Sequence, residues 1–557
     1  MKRNTVIFLA ILLLGLFLRL VGNNWDAGWH LHPDERFLTM VGVDVKIPSS
    51  LGEYLNPGSS PFNPVNKSYP FYVYGTFPVL LNKIIARYLF NDTYGQFNLQ
   101  GRLLSGIVDF FIIVIVFKLI ELVEKKLKLH ASIKYIAAFL YAIAVLPIQL
   151  SHFFTVDTFL NAFAWSSLYF AVKIVIKKEK GTLFNYVFSG LSLGLSFASK
   201  ISAVYIVPLI GIIILWGVLK VKGSFAKKIG LLLVFGISAY CALRLGSPYY
   251  FATGNILNPS PSLVFMNNIN ILKSFENPAQ LYPPAVQWLS KSVFFPTINI
   301  IFFGVGPLYF LCAVLGVVLL LRKKNPLVFL SILWFLGFII LQSVQFAKTM
   351  RYFIFVYPFF AIFAAVGVHA AFVKVRRFNR PPFFLCVFLI GVGILLWPLA
   401  FMSIYTKDHS RIAASYWIYG NVPSRSVISY EYWDDPLPLT VEDPAIRNYV
   451  GQEVHIFDAD SNEKWKTIDA QLKKIDYYVM SSNRGWGSIM AASNRYPLTS
   501  RFYADMFKGK RGFTLVKEFS SYPSLRYLGI PVDFPDQWAE EAFTVYDHPL
   551  VKIFKRQ

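Results

Sequence analysis

The sequence predicts a polytopic α-helical membrane protein with about eleven transmembrane helices and a C-terminal α/β soluble domain. Three observations carry this expectation. Hydrophobic residues make up 55% of the 557-residue chain. Apolar runs of roughly 18–20 residues, enough to cross ~30 Å of hydrocarbon, recur along it. From Tyr405 onward those runs stop, and charged residues mix with short stretches rich in β-branched and aromatic side chains.

Met1-Lys2-Arg3 ahead of the apolar run to Val21 has the charge pattern of a secretory signal. No small-residue cleavage site follows, and Trp25 and Trp29 stand where interfacial anchors would, so the run is expected to stay as the first helix. Spans are expected near 5–22, 102–123, 133–150, 158–176, 183–199, 201–219, 229–246, 299–321, 326–344, 352–373 and 382–404. Lys125-Lys126, Lys177-Lys178, Lys227-Lys228, Arg322-Lys323-Lys324 and Arg376-Arg377 fall in short links between these spans, and alternate links lack such clusters. This positive-inside pattern puts the N-terminus in the cytoplasm; an odd number of spans then puts the C-terminal domain outside. The expected location is a cell membrane, crossed many times. The same distribution accounts for most of the net charge of +23 and argues against a nucleic-acid partner.

Residues 1–404 are thus expected to form the transmembrane part, with two long outer loops at 23–101 and 247–298, and residues 405–557 an extracytoplasmic α/β domain. Within the first loop, 70–90 is apolar but interrupted by Pro70, Pro78, Lys83 and Arg87. A crossing there would invert every later basic link, so an amphipathic helix on the outer interface is expected instead. In the C-terminal domain, 426–430, 476–480, 513–519 and 543–546 read as strands and 463–474 as a helix. No Gly-rich loop opens a helix there, which leaves no nucleotide-site signal. Cys241, Cys312 and Cys386 all lie in apolar runs, so the outer domain must fold without a disulfide.

The strongest chemical signal is His32-Pro33-Asp34-Glu35-Arg36-Phe37, just past the first span. Adjacent carboxylates near an apolar surface suit base chemistry, because partial burial raises one pKa while the other stays ionised. The same letters read as a helix start, with Pro33 in the first turn and two acids favouring the dipole. The two readings are compatible. Ser151-His152-Phe153-Phe154-Thr155-Val156-Asp157-Thr158 follows at the outer end of the third span; taken alone, Asp157 reads more readily as a helix cap than as a catalyst. Lys200 ends Ala198-Ser199-Lys200 at an outer turn, where snorkelling is the ordinary explanation. Arg102, Arg244, Lys348 and Arg351 stand at other outer ends. Ionisable groups beside spans are costly, and these are therefore candidates, with His152, for holding substrate or phosphate. In this topology all of them map to one face, and the helices that carry them are expected to converge on one outer cavity. Carboxylates among cations describe a site that activates a nucleophile and holds an anionic leaving group. The eight histidines are scattered, without a metal-ligating pair on one helix.

An Asp-Glu pair in the first outer loop resembles the GT-C superfamily of integral-membrane glycosyltransferases, in particular the phospholipid carrier-dependent branch that contains the protein O-mannosyltransferases and the lipid A aminoarabinose transferase. Gly101-Arg102-Leu103-Leu104-Ser105 is similar to the start of that branch's second span, and Phe154-Thr155-Val156-Asp157-Thr158 to its second acidic motif. Gly190-Leu191-Ser192-Leu193-Gly194 through Lys200 resembles its glycine-rich span ending in lysine, and Met350-Arg351-Tyr352 a late outer turn. The resemblance spans residues 5–400. Thr544-Val545-Tyr546-Asp547-His548-Pro549 resembles appended domains of bacterial members, to which it lends no chemistry.

The resemblance implies transfer of a sugar from a polyprenyl phosphate to a hydroxyl of a glycan, glycolipid or protein at the outer face, with inversion. Asp34 would be the general base, a role worth roughly 10²–10⁴ in rate. Glu35 and Asp157 would orient groups or support cations, Lys200 and Arg351 would bind phosphate, and the 247–298 loop would close over the donor. It implies no required cofactor and leaves a divalent metal open. Two other readings compete. A transporter or flippase for lipid-linked sugars would place its site near the midplane in repeated halves, and neither feature is legible. A non-catalytic assembly protein would need one anchor, not eleven.

Overall fold

The computed structural model describes residues 3–177, 182–279, 282–378, 381–442 and 447–557. Lys178 of one expected inner link lies outside them, and the side chains of Arg376, Arg377 and Cys386 are likewise outside the description.

Among the described residues, seven helices are long and apolar enough to cross a membrane, or nine if each of two bent pairs is one span. The segments expected at 5–22 and 183–199 form shorter apolar helices, Asn4–Leu20 and Leu183–Ser199. Among the described residues, helices of spanning length thus do not confirm the count of eleven. Two expected spans are not straight. The segment at 133–150 bends by 52° between Ile133–Ala142 and Val145–Ser151, and the one at 299–321 by 109° between Phe295–Val305 and Pro307–Leu321. The second break has a local cause: Gly306 takes a φ of 94° and Pro307 has no backbone N–H to continue the ladder. The helix expected at 102–123 instead runs from Tyr94 to Leu127. At 1.5 Å per residue it is about 50 Å long, more than a hydrocarbon layer needs. The expected amphipathic helix is Phe77–Leu89, with Val79, Asn82, Lys83 and Ala86 on its buried face.

Small residues let the helices touch backbone to backbone. A Cβ on Gly190 would lie 2.3 Å from the Phe235 carbonyl oxygen, and one on Gly194 2.2 Å from that of Ala239. The glycine-rich motif thus presses the Thr182–Ser199 helix, which ends just before Lys200, onto the Phe225–Gly246 helix.

The C-terminal sheet domain has five strands: β1 (Val427–Glu431), β2 (Val450–Val454), β3 (Tyr477–Met480), β4 (Phe513–Phe519) and β5 (Val551–Arg556), in the order β2-β1-β3-β5-β4. β1 pairs parallel with β2 and β3, and β5 pairs antiparallel with β3 and β4. The helix expected at 463–474 is Asn462–Leu472, capped by Ser461 Oγ, which accepts the Lys464 N–H at 3.1 Å. The strand expected at 543–546 is not one. Glu541–Thr544 is a short helix whose Phe543 packs 5.6 Å from Phe303 and 5.4 Å from Phe401, among the transmembrane helices. Tertiary burial there overrides β-propensity.

Candidate active site

His32, not an acid, caps the helix that carries the Asp-Glu pair: its Nδ1 accepts the Glu35 N–H at 3.3 Å, and Pro33 opens the first turn. The helix-start reading therefore holds, and it sends the two carboxylates to different partners. Asp34 Oδ2 lies 2.6 Å from Arg351 Nη1. Glu35 Oε1 accepts Arg102 Nε at 2.6 Å.

Arg351 also reaches Asp157, Nε to Oδ2 at 3.3 Å, and Asp157 Oδ1 accepts Lys200 Nζ at 2.7 Å. Asp34, Arg351, Asp157 and Lys200 thus form a continuous chain of alternating charge drawn from four separate segments. Asp157 does not cap: it is the first residue of the Asp157–Ile176 helix, and its side chain makes no capping bond. The Asp157 side chain is 2% exposed, whereas that of Asp34 is 29% exposed, so the chain opens to solvent at the Asp34 end. Lys200 Nζ sits 5.2 Å above the Tyr352 ring, a face that favours a cation. Gly75 fixes the neighbouring loop: its N–H donates to Ser199 O at 2.9 Å, and a Cβ there would overlap the Ala198 carbonyl.

Burial alone would raise the Asp34 carboxyl; Arg351 above all, with Lys200, outweighs it and holds the group down at about 2. Burial pushes Glu35 up to about 7 against the pull of Arg102. The two neighbouring acids are driven apart, as sites with divided roles are.

The other expected residues stay outside this cluster. Arg102 is fully buried and divides its donors between Glu35 and Asp26, Nη2 to Asp26 Oδ2 at 2.7 Å. Arg244 binds the backbone of the second long loop, reaching Asn255 O at 3.0 Å. Lys348 Nζ donates to Gln345 O at 2.6 Å. His152 bridges Ile148 O and Val21 O at 2.8 and 2.9 Å and stacks on Tyr405 at 3.8 Å. Among the described residues no three His, Cys, Asp or Glu side chains cluster as a metal-ligand set.

Asp26 and Glu540 join the expected residues only in the folded chain. Glu540 Oε1 accepts Thr349 Oγ1 at 2.8 Å, and Oε2 accepts the Met350 N–H at 2.7 Å. The C-terminal chain therefore holds the turn that aims Arg351. Asn299 Oδ1 accepts the Glu540 N–H at 2.8 Å, and Asp547 accepts from Gln149 and from Tyr405, both at 3.0 Å.

Residues 85–243 match the family model described as dolichyl-phosphate-mannose-protein mannosyltransferase. No curated protein matches the chain. Among solved structures, the Archaeoglobus fulgidus oligosaccharyltransferase tethered to an acceptor peptide superposes with a TM-score of 0.53 at 12% identity, covering 100% of this chain and 89% of that one. The same enzyme in complex with Zn and sulfate gives 0.52 at 13% identity, covering 99% and 88%. ArnT from Cupriavidus metallidurans in the apo state gives 0.44 at 15%, covering 87% and 94%. By motif, by family match and by fold, the chain resembles the GT-C superfamily of integral-membrane glycosyltransferases.

Proposed function

We propose that this chain transfers a sugar from a polyprenyl-phosphate carrier to a hydroxyl acceptor at the outer membrane face, inverting the anomeric carbon. The observation that carries this reading is the Asp34–Arg351–Asp157–Lys200 chain, open at its Asp34 end. The matched family's description, which names a lipid-phosphate sugar, supports the donor class.

The quartet is neutral with all four groups charged. A donor phosphodiester brings one negative charge, and it competes with the carboxylates for Arg351 and Lys200. As Arg351 turns toward the phosphate, Asp34 loses the partner that keeps its carboxyl near 2, and becomes basic enough to take a proton. The acceptor oxygen then attacks the anomeric carbon, its proton passes to Asp34, and the bond to the phosphate oxygen breaks. The phosphate gains a second negative charge at the moment Asp34 loses its own, so Arg351 and Lys200 face the dianion with one competitor fewer. Glu35 and Asp26, both paired with buried Arg102, hold the loop in place.

Arg351 reaches two carboxylates through two different nitrogens, a fork that lysine lacks. Arg351→Lys is expected to lower transfer at least about tenfold although charge is kept. Lys200→Ala is expected to lower transfer and weaken binding of sugar-free polyprenyl phosphate. A competition assay with that lipid checks both; inhibition of both variants as strong as of wild type rejects a phosphate role.

The division into a helical part, 1–404, and an outer α/β part, 405–557, belongs to the same reading. Lys466 is exposed on the Asn462–Leu472 helix. A Lys466→Cys variant is expected to react with a membrane-impermeant maleimide on intact cells. Labelling only after lysis would place the sheet domain, and the site beneath it, on the inner face.

A further inference from the structure

A cleft of about 550 Å³ lies between the 247–298 loop and the C-terminal sheet domain. Its walls include Phe275, Tyr282, Tyr432, Trp433, Phe457 and Asp458. The rings form a built platform. Tyr282 stacks on Phe275 at 4.4 Å and 10°, and meets Trp433 edge-on at 5.4 Å and 80°. Trp433 is 40% exposed, an unusual state for so large an apolar side chain. It also takes a left-handed φ of 74°, which a bulky residue adopts only when its surroundings enforce it. The enforcement is visible: Arg484 Nη1 donates to Trp433 O at 2.7 Å, and Arg484 Nε is fixed by Glu541 at 2.6 Å.

The cleft is tied to the reacting groups. Arg36, two residues past Asp34, donates to Asp435 Oδ1 at 2.8 Å, two residues past Trp433. Burial, and after it the Asp34 charge, pushes the Tyr282 phenol up, so that ring lies within electrostatic reach of the carboxylate.

We propose that this cleft is the acceptor subsite and that its ligand is an uncharged saccharide, stacked on Trp433 and Tyr282 and hydrogen-bonded to Asp458. The assignment rests on the transferase reading and names that reaction's acceptor class. The lining chemistry selects among acceptors. Among the described lining residues there are ring faces, one carboxylate and no lysine or arginine, so an anionic glycan finds repulsion and no counter-charge. Among the described lining residues there is no asparagine or glutamine to pair the backbone amides of an extended peptide, whose burial unpaired costs free energy. A sugar ring presents an apolar C–H face to an aromatic plane and hydroxyls at its rim, where a carboxylate accepts them.

The test uses the full-length protein in detergent micelles. Cello-, manno- and maltohexaose, and serine- and threonine-containing peptides of similar mass, are titrated with binding read by saturation-transfer NMR. At least one hexasaccharide is expected to bind. Trp433→Ala is expected to weaken that binding about tenfold, the scale of one lost stacking contact with its buried surface. Trp433→Phe keeps a ring and is expected to retain most of it. Should Trp433→Ala fail to fold, Tyr282→Ala serves in its place. No hexasaccharide binding, equal binding by the alanine variant, or peptide binding that depends on Trp433 while sugars are ignored each overturns the proposal. Binding is read without turnover. A wild-type chain that binds a hexasaccharide through Trp433 yet transfers nothing rejects only the transferase reading. One that transfers sugar with the same acceptor KM in wild type and Trp433→Ala rejects only this subsite.

Discussion

Asp34→Asn is expected to slow sugar transfer by about two orders of magnitude or more, with the protein folded and the donor still bound. An amide keeps the size of the carboxyl and still accepts a hydrogen bond from Arg351 Nη1, the contact made at 2.6 Å by Asp34. It has no capacity to take the acceptor's proton. The loss therefore belongs in kcat. Asp157→Asn differs in kind, because Asp157 holds both Lys200 and Arg351; its loss is expected mainly as a raised KM for the lipid donor. Steady-state transfer from a labelled polyprenyl-phosphate sugar separates the two. Near-normal kcat in Asp34→Asn rejects Asp34 as the base.

His548→Ala is expected to destabilise the fold by about 3–5 kcal/mol, the range for breaking a buried ion pair by removing one partner. The ring sits between two carboxylates, Nε2 at 2.8 Å from Asp536 and Nδ1 at 2.5 Å from Asp547, and all three side chains are fully buried. Burial opposes the imidazolium, but the two carboxylates outweigh it and raise the ring to about 10 from 6.5. The sign follows from linkage. The stabilisation is complete below the unfolded value of 6.5 and is lost as pH rises through about 10. Thermal unfolding of wild type and His548→Ala at pH 6 and pH 10 checks this: the gap between them is expected to narrow at the higher pH. A gap below about 1 kcal/mol at pH 6, the scale of an ordinary surface pair, rejects the account.

Much of the site was legible because the cost of a charge beside a membrane is legible. Asp157, Lys200 and Arg351 each stand at the edge of an apolar run and Asp34 in the loop after the first one, and the structure joins all four. Arg102, Arg244 and Lys348 gave the same signal, but one-dimensional position does not say whether a cation meets a carboxylate or a backbone carbonyl. Asp109 carried a signal that went unread: it is an acid within an apolar run, and it pairs with Arg19 at 2.7 Å and accepts Tyr141 Oη at 2.7 Å. Glu540 was beyond reach, since its partner Met350 N–H is a backbone group nearly two hundred positions away. In the sheet domain, β1, β3 and β4 follow from β-branched and aromatic letters, whereas β2 carries Gly451, Gln452 and Glu453 and is a strand because β1 pairs with it in register. Phe543, read as strand, is helical because transmembrane aromatics surround it.

The hold of Glu540 on the Arg351 turn sets the order in which this site can come into being. Asp34, Asp157, Lys200 and Arg351 all precede residues 536–548 in the chain, so during synthesis the reacting groups exist before the clamp that aims one of them. The closing contacts are among the most distant in sequence, and such contacts form last, once the intervening chain has paid its loop-closure entropy. A chain made only as far as Arg351 therefore lacks the contact that holds the Arg351 turn.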